Sequence, residues 1–296
     1  MKKAYIILAH KYPEQLHRLI KRLNDGLSAF FVHIDKNVEI SQFKSLGEFG
    51  DTIHFVERVA SGWATFGQVQ SVLNGLKAVK ESNKQFDTIS LLSGQDYPIK
   101  SNAEIDSHFK ASQYSVFIDY FPLPNFEKWE KDNGGMYRVN KYFFGLKRYK
   151  LFSSKSINFL ANFIPFLRRK IPDGMKPYAG SQWWSIDMYA LNYVLDYINK
   201  HPEYAAFHQY TFACDELFFQ MILVNSNDER IQKSIENDNK RFMKWKTSNS
   251  SHPETLVADD LPEILNSKAL FARKFDLTLN ADIFDSIDNK CLFLKK

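Results

Sequence analysis

Four short apolar runs alternate with segments of helical periodicity over the first 120 residues, and this rhythm constrains the fold more than any other feature of the chain. The run KAYIILAH reads as a buried strand, with β-branched residues in its middle and a polar cluster at its end. PEQLHRLIKRLND follows with Leu16, Leu19, Ile20 and Leu23 at helical spacing, Pro13 near its start and Gly26 past its end. AFFVHIDKN, TIHFVER and FDTISLLSG are further strands. FGQVQSVLNGLKAVKES is a helix whose Val69, Val72, Leu73, Leu76 and Val79 form one stripe, and NAEIDSHFK is a shorter helix. Strands alternating with helices predict an α/β fold with a mostly parallel central sheet covered on both faces.

Such a sheet binds ligands where its loops leave the carboxyl ends of the strands. His10, His33, Asp35, Trp63 and Asp96 all fall at or just after predicted strand ends, so they share one rim. Each has a simpler reading. His10 and His33 could be packed or capping histidines, and Asp96 in LLSGQDYPIK could hold a metal, hold a sugar or cap a turn. After Ile118 the rhythm breaks into YFPLPNFEKWEKDNGGMYRVNKYFF, a Pro- and aromatic-rich loop region expected to cross the front of the site. Gly180 to Ile186 reads as a strand-like turn before a helix capped by Asp187. CDELFFQMILVNS opens with Asp215 and Glu216, acids that a first helical turn favours whether or not they do chemistry. Near the C-terminus Arg273 and Lys274 sit between Phe271 and Phe275. Aromatic flanks fix the direction of the two cations, as a phosphate clamp would require, although a surface charge pair has the same local sequence.

At 296 residues and 44% hydrophobic content, the chain suits one compact catalytic unit carrying a C-terminal extension. Its 26 Phe and 14 Tyr supply flat amphipathic surface of the kind that lines sugar and nucleotide sites, although most aromatics in any protein belong to the core. The net charge of +5 is unevenly spread: between Lys141 and Lys170 there are eight Lys or Arg and no acid, interleaved with aromatics. That stretch suits an anionic membrane surface or an anionic ligand, or is a solvated basic face. No nucleic-acid-binding motif accompanies it, so no nucleic-acid partner is expected. Cys214 and Cys291 are far apart and read as reduced thiols of a cytosolic protein. The apolar run of MKKAYIILAHK ends at Ala9, too short for a signal peptide, and no run approaches the length of a bilayer span. A cytoplasmic location is expected, with peripheral contact at the inner face of the membrane through residues 141–170.

Together AYIILAHK, HRLIKRL, FVHIDKN, WATFGQVQSVLNGL, LLSGQDYPIKSNAEI, GSQWWSIDM, CDELFFQMIL, RFMKW and LFARKFD resemble, in this order, the core-2/I-branching β-1,6-N-acetylglucosaminyltransferase family, which includes the peptide-O-xylosyltransferases and bacterial relatives. The resemblance covers nearly the whole chain. It implies a GT-A glycosyltransferase fold as a single catalytic domain over 1–296, with a nucleotide-sugar-binding half at 1–120. Residues 121–296 would be the acceptor-binding half, ending in a phosphate-clamp segment. It also implies inverting transfer from a UDP-sugar, UDP-GlcNAc by preference, to a glycan or lipid-linked glycan acceptor in bacterial surface polysaccharide synthesis. GT-A enzymes commonly hold Mg²⁺ or Mn²⁺ with an Asp-x-Asp on the loop that here reads Gly94-Gln95-Asp96-Tyr97. One carboxylate is a poor site for a hard cation, and the branching enzymes work without metal. No metal or other cofactor is therefore expected.

By the same resemblance Lys274, with Arg273 beside it, neutralises the departing diphosphate. The family's second, upstream cation has no match in Asn249-Ser250-Ser251-His252, which leaves Arg241 or His252 as substitutes. Glu216 matches the family's catalytic base, as inversion by direct displacement needs one base on the attacking side, and Asp215 would orient the motif or cap the helix. His10, Asp35 and Trp63 would line the uridine and ribose pocket, with Asp96 near the donor sugar. Trp183, Trp184 and Trp245 resemble positions around acceptor or donor sugar. Neighbouring residues in a strand point to opposite sides, so a core role for one of the Trp183–Trp184 pair stays open. A xylosyl- or other UDP-hexose transferase is the nearest alternative, and a non-catalytic sugar-nucleotide or glycan-binding protein the alternative of another class. A metal-dependent hydrolase built on His10, His33 and Asp35 is disfavoured, because those residues lack ligand-like spacing.

Overall fold

The computed structural model describes residues 1–247, 250 and 252–293. Its first half follows the predicted rhythm: β1 (Lys3–Ala9), α1 (Pro13–Leu23), β2 (Ala29–Ile34), β3 (Ile53–Phe55), α2 (Phe66–Glu81), β4 (Thr88–Ser93), β5 (Tyr97–Pro98), α3 (Asn102–Ala111) and β6 (Val116–Ile118). The second half is less regular: β7 (Phe121–Pro122), α4 (Tyr137–Asn140), α5 (Arg148–Phe163), β8 (Tyr178–Ala179), β9 (Trp184–Ile186), α6 (Met188–Lys200), α7 (Pro202–His208), α8 (Phe218–Val224), α9 (Glu229–Ser234), β10 (Ile235–Glu236), β11 (Arg241–Met243), α10 (Leu261–Asn266), β12 (Phe271–Arg273) and α11 (Asp282–Phe293).

Seven strands form the central sheet in the order β10-β6-β9-β4-β1-β2-β3. β4, β1, β2 and β3 run parallel, and β9 is inserted antiparallel between β4 and β6. Both faces are covered, as the near-continuous apolar strands require. One core holds Ile6, Leu91, Val72 and Trp184 beneath α2, α6 and α8; the other holds Ile7, Phe30, Leu19 and Phe271 beneath α1 and the C-terminal segment. α2 lies so close to β1 that a Cβ on Gly75 would stand 2.5 Å from Ile6 Cγ2. Local signals hold where they were strongest. Ser101 and Glu104 form a reciprocal capping box on α3, and Asp187 caps α6 by accepting from the Ala190 amide at 2.7 Å.

Two placements depart from expectation. Asp215 and Glu216 do not open α8: they sit in a tight 3-10 turn after left-handed Ala213, and the helix begins only at Phe218. Arg273 and Lys274 are placed by strand pairing that their local sequence does not announce. β12 pairs parallel with β11 and antiparallel with β5, which seats them beside the Gly94–Tyr97 loop. Phe271 and Phe275 are fully buried there, and burial of each stabilises that seat by about 1.5–3 kcal/mol. Cys214 is a buried free thiol; the Cys291 side chain, and Asn249 and Ser251, lie outside the described residues. Among the described residues no helix is long and apolar enough to cross a membrane.

Candidate active site

The carboxyl ends of β1 and β4 open into a small cleft lined by Ala9, His10, Lys11, Ser93, Gly94 and Gln95. The parallel pairing of these strands puts His10–Lys11 next to the Gly94–Asp96 loop although 80-odd residues separate them in sequence. The C-terminal segment closes onto the same place. The Phe275 amide donates to Gln95 O at 2.9 Å, and the side-chain amide of buried Gln15 donates to Gly94 O at 2.9 Å and Phe275 O at 3.3 Å. Gln15 Oε1 in turn accepts from the Leu277 amide at 2.8 Å. One buried glutamine thus ties helix α1, the strand-end loop and the C-terminal segment together.

Asp96 lies beneath this cleft, with no exposed surface. Its carboxylate accepts from the Ser93 amide and hydroxyl, both at 2.9 Å, and pairs with Arg273 Nε at 3.4 Å. Arg273 is stacked on Trp183, 4.0 Å from guanidinium carbon to ring centre. The opening alternatives for Asp96 resolve into a turn cap that also counters a buried cation. Its oxygens are committed to Ser93 and Arg273, and Gln95 Nε2 donates to Phe275 O. The donor set of this loop therefore does not fit a hard divalent cation, which needs several free oxygens.

Lys274 stands next to Arg273, partly buried, and its ammonium has no hydrogen-bonding or ion-pair partner among the described residues. Burial, then Lys11 and Arg273, push its pKa below the ordinary lysine range, against the pull of Asp276. His10 is also lowered, by desolvation first, then by Lys11 and Lys274, with Asp35 opposing them. Beyond burial, Lys11 acts on both His10 and Lys274, and Lys274 acts on His10, so these cations crowd one small space, the electrostatic form of an anion site. Lys11 was missed in sequence, where it reads as the polar end of a strand. Arg241 does not join the cluster. Its guanidinium is buried and donates to the carbonyls of Asn239, Leu91 and Trp184, so this candidate second cation serves the core.

Asp35 accepts from the Ser61 amide at 2.7 Å, the Ser61 hydroxyl at 2.6 Å and the Asn37 amide at 2.8 Å. Burial raises its pKa, but those hydrogen bonds and His33 outweigh it and keep the group ionised. His33 is fully buried, accepts from the Val59 amide at 3.0 Å and is held neutral by burial. His10, His33 and Asp35 do not converge as metal ligands. Among the described residues the one group of His, Cys, Asp or Glu with ligand atoms close enough is Asp173, His201 and Glu203, away from this cleft.

Glu216 ends the 3-10 turn before α8 and is not part of the lining of that small cleft. Its carboxylate is 39% exposed and paired with Arg138 Nη1, whose guanidinium stacks on Trp129 at 4.5 Å. Its carbonyl accepts from the Gly180 amide at 2.8 Å, and only glycine fits there, because a Cβ would lie 1.8 Å from Asp119 O. Trp63 is 45% exposed, with Phe212 and His252 both edge-on at 5.6 Å. Burial, Lys274 and Arg273 lower the pKa of His252, and Glu216 raises it. Trp63 thus packs on His252, and Glu216, Lys274 and Arg273 all lie within electrostatic reach of that imidazole. Trp183 lies under Arg273. Trp184 is 1% exposed, packs on Phe219 and belongs to the core, so it presents no face to a ligand. Trp245 is 46% exposed beyond β11. Arg138 had no sequence signal beyond lying in the loop expected to cross the front.

Asp215 is buried behind Glu216, and its Oδ1 has no hydrogen-bond partner. Burial, then the neighbouring Glu216 charge, push its pKa up to about 7. An unfolded aspartate titrates near ~3.9, so the folded chain holds the extra proton between those values and stability falls as pH rises through that window. Asp215→Asn is expected to flatten the slope of urea-unfolding midpoint against pH between about 4 and 7; an unchanged slope would show that Asp215 titrates normally.

The fold and the cleft define an α/β protein with a cationic site at the strand ends of a mostly parallel sheet. The chain belongs to the core-2/I-branching enzyme family, whose model matches residues 3–269. It is 23% identical to dog xylosyltransferase 1 over 312 residues, covering 96% of this chain and 30% of that protein. It is 22% identical to a human β-1,3-galactosyl-O-glycosyl-glycoprotein β-1,6-N-acetylglucosaminyltransferase, covering 96% of this chain and 68% of that one. A β-glucuronosyltransferase of Arabidopsis thaliana is 28% identical over 42% of this chain and 27% of its own length. The chain thus spans about a third or less of the first two curated relatives it matches, xylosyltransferase 1 and the glucuronosyltransferase. Mouse xyloside xylosyltransferase 1 superposes loosely, with TM-score 0.38 and 8% identity over 92% of this chain and 97% of that one.

Proposed function

We propose that the chain is an inverting, metal-independent glycosyltransferase that moves a sugar, GlcNAc by preference, from its UDP-sugar to a hydroxyl of a glycan acceptor, forming a β-linkage. The process served is synthesis of a bacterial surface polysaccharide at the inner face of the membrane. The observation that carries this reading is that His252 lies within electrostatic reach of both the half-exposed Glu216 carboxylate and the cations Lys274 and Arg273.

In this arrangement Asp35 and the exposed face of Trp63 meet the uridine and ribose, and the diphosphate lies against Lys274, Lys11 and Arg273. Arg138 holds one Glu216 oxygen and leaves the other free to accept. The acceptor oxygen attacks the anomeric carbon from the Glu216 side while the bond from that carbon to the UDP oxygen breaks. The hydroxyl proton passes to Glu216, and the bonding pair leaves on UDP, where the cations stabilise it. Asp96 acts one layer below, by fixing Arg273. Support for working without metal comes from its committed oxygens and from the cations that occupy the role a metal would have.

UDP release measured over a panel of UDP-sugars, with and without EDTA, tests the reading. Turnover is expected with UDP-GlcNAc and is expected to be unchanged by EDTA. Turnover with UDP-xylose alone would reassign the donor, and loss of activity in EDTA would overturn the metal-free mechanism.

A further inference from the structure

Helix α5 is left almost uncovered by the rest of the protein. Of its 16 residues only Ser154 is buried. Yet Tyr149, Phe152, Phe159, Leu160 and Phe163 recur three, four and seven apart, which puts them on one helical face. They are 64, 72, 63, 44 and 70% exposed, and Phe166 just beyond is 84% exposed. Contiguous exposed apolar faces of this kind mark sites of contact with a protein, a membrane or a ligand. Exposed Arg148 and Lys155 border the row, within a stretch of eight cations and no acid from Lys141 to Lys170.

Charge selects the occupant. A second copy seated face to face would set two like-charged stretches against each other. An anionic bilayer offers an apolar layer for the rings and negative headgroups for the flanking cations, the pattern of a helix lying in a membrane interface. We propose that α5 and the turn through Phe166 form an arm that docks onto an anionic phospholipid surface.

The arm is tied by hydrogen bonds to the segment that carries Arg138 and to residues 207–211. Arg169 donates to the carbonyls of Arg138, Lys141, Phe207 and Tyr210 and to Thr211 Oγ1, at 2.6–3.2 Å. Phe143 packs edge-on against Phe212 at 5.0 Å, and Phe212 meets Trp63. A docked arm therefore holds Arg138 and its partner Glu216 beside the lipid surface. Resting on the glycosyltransferase reading, this makes the acceptor class a glycan carried on a lipid in that same surface.

Co-sedimentation with vesicles tests the arm. The protein is expected to pellet with equal phosphatidylglycerol and phosphatidylcholine, to stay in solution with phosphatidylcholine alone, and to be released by salt. The triple substitution Phe152→Ser, Phe159→Ser, Phe163→Ser is expected to lower the partition about tenfold or more while leaving UDP release with a soluble acceptor unchanged. Retention of the wild type in the supernatant with anionic vesicles at low salt would overturn the proposal, as would undiminished binding of the triple variant. A wild-type dimer that the substitutions convert to monomer, with no vesicle binding, would reassign the face to a second copy. Absence of UDP release would leave the vesicle result readable and count against the enzymatic reading alone.

Discussion

Glu216→Gln is expected to lower the turnover number by about 10²–10⁴-fold, the usual contribution of a positioned general base, with UDP affinity unchanged within about twofold. The amide keeps the shape of the side chain and one hydrogen bond to Arg138, so the site stays assembled while the group that takes the acceptor proton is lost. Burst and steady-state UDP release, with UDP binding by calorimetry, separate the two effects. Normal turnover would remove Glu216 from the chemistry, and absent turnover in the wild type with intact UDP binding would point to a sugar-nucleotide-binding protein instead.

Lys274→Ala is expected to cost about 10²–10³-fold in turnover, the scale seen when one donor to a developing negative charge is removed. Mg²⁺ or Mn²⁺ is expected not to restore it, because Asp96 has no oxygen free for a cation. The pH profile gives a second readout. Lys274 must be protonated to stabilise departing UDP, and burial, then Lys11 and Arg273, depress its pKa, so activity falls on the alkaline side earlier than an isolated lysine would allow. Lys274→Arg, whose cation does not titrate there, is expected to keep partial activity and move that limb upward. An unshifted limb would place the alkaline group elsewhere.

The strands and helices of the first half were legible because β1, β2 and β4 are mostly apolar runs buried almost throughout, and α1 buries the stripe at Leu16, Leu19, Ile20 and Leu23 that its spacing announces. The strand-end rim was legible for the same reason, since strand ends are where apolar runs stop. Less legible was the direction of individual side chains on that rim. Asp96 and Trp184 share the motif character of Glu216 and Trp63, but the first two are buried and the second two are open.

What the sequence by itself determined is thus the α/β class, the parallel core of the sheet and the strand ends at which His10, Asp35 and Asp96 stand, because these follow from local periodicity and from the topology that periodicity permits. Only the tertiary structure decided which groups meet. Gln95 and Phe275 are 180 residues apart, and Arg138 and Glu216 are 78 apart. Their contacts arise from β12 pairing with β5 and from the segment before α5 folding back to Glu216, and no local pattern records either. Burial then set the charges: the same low-dielectric packing that fixes Arg273 on Asp96 and lowers Lys274 depends on which surfaces the completed fold closes.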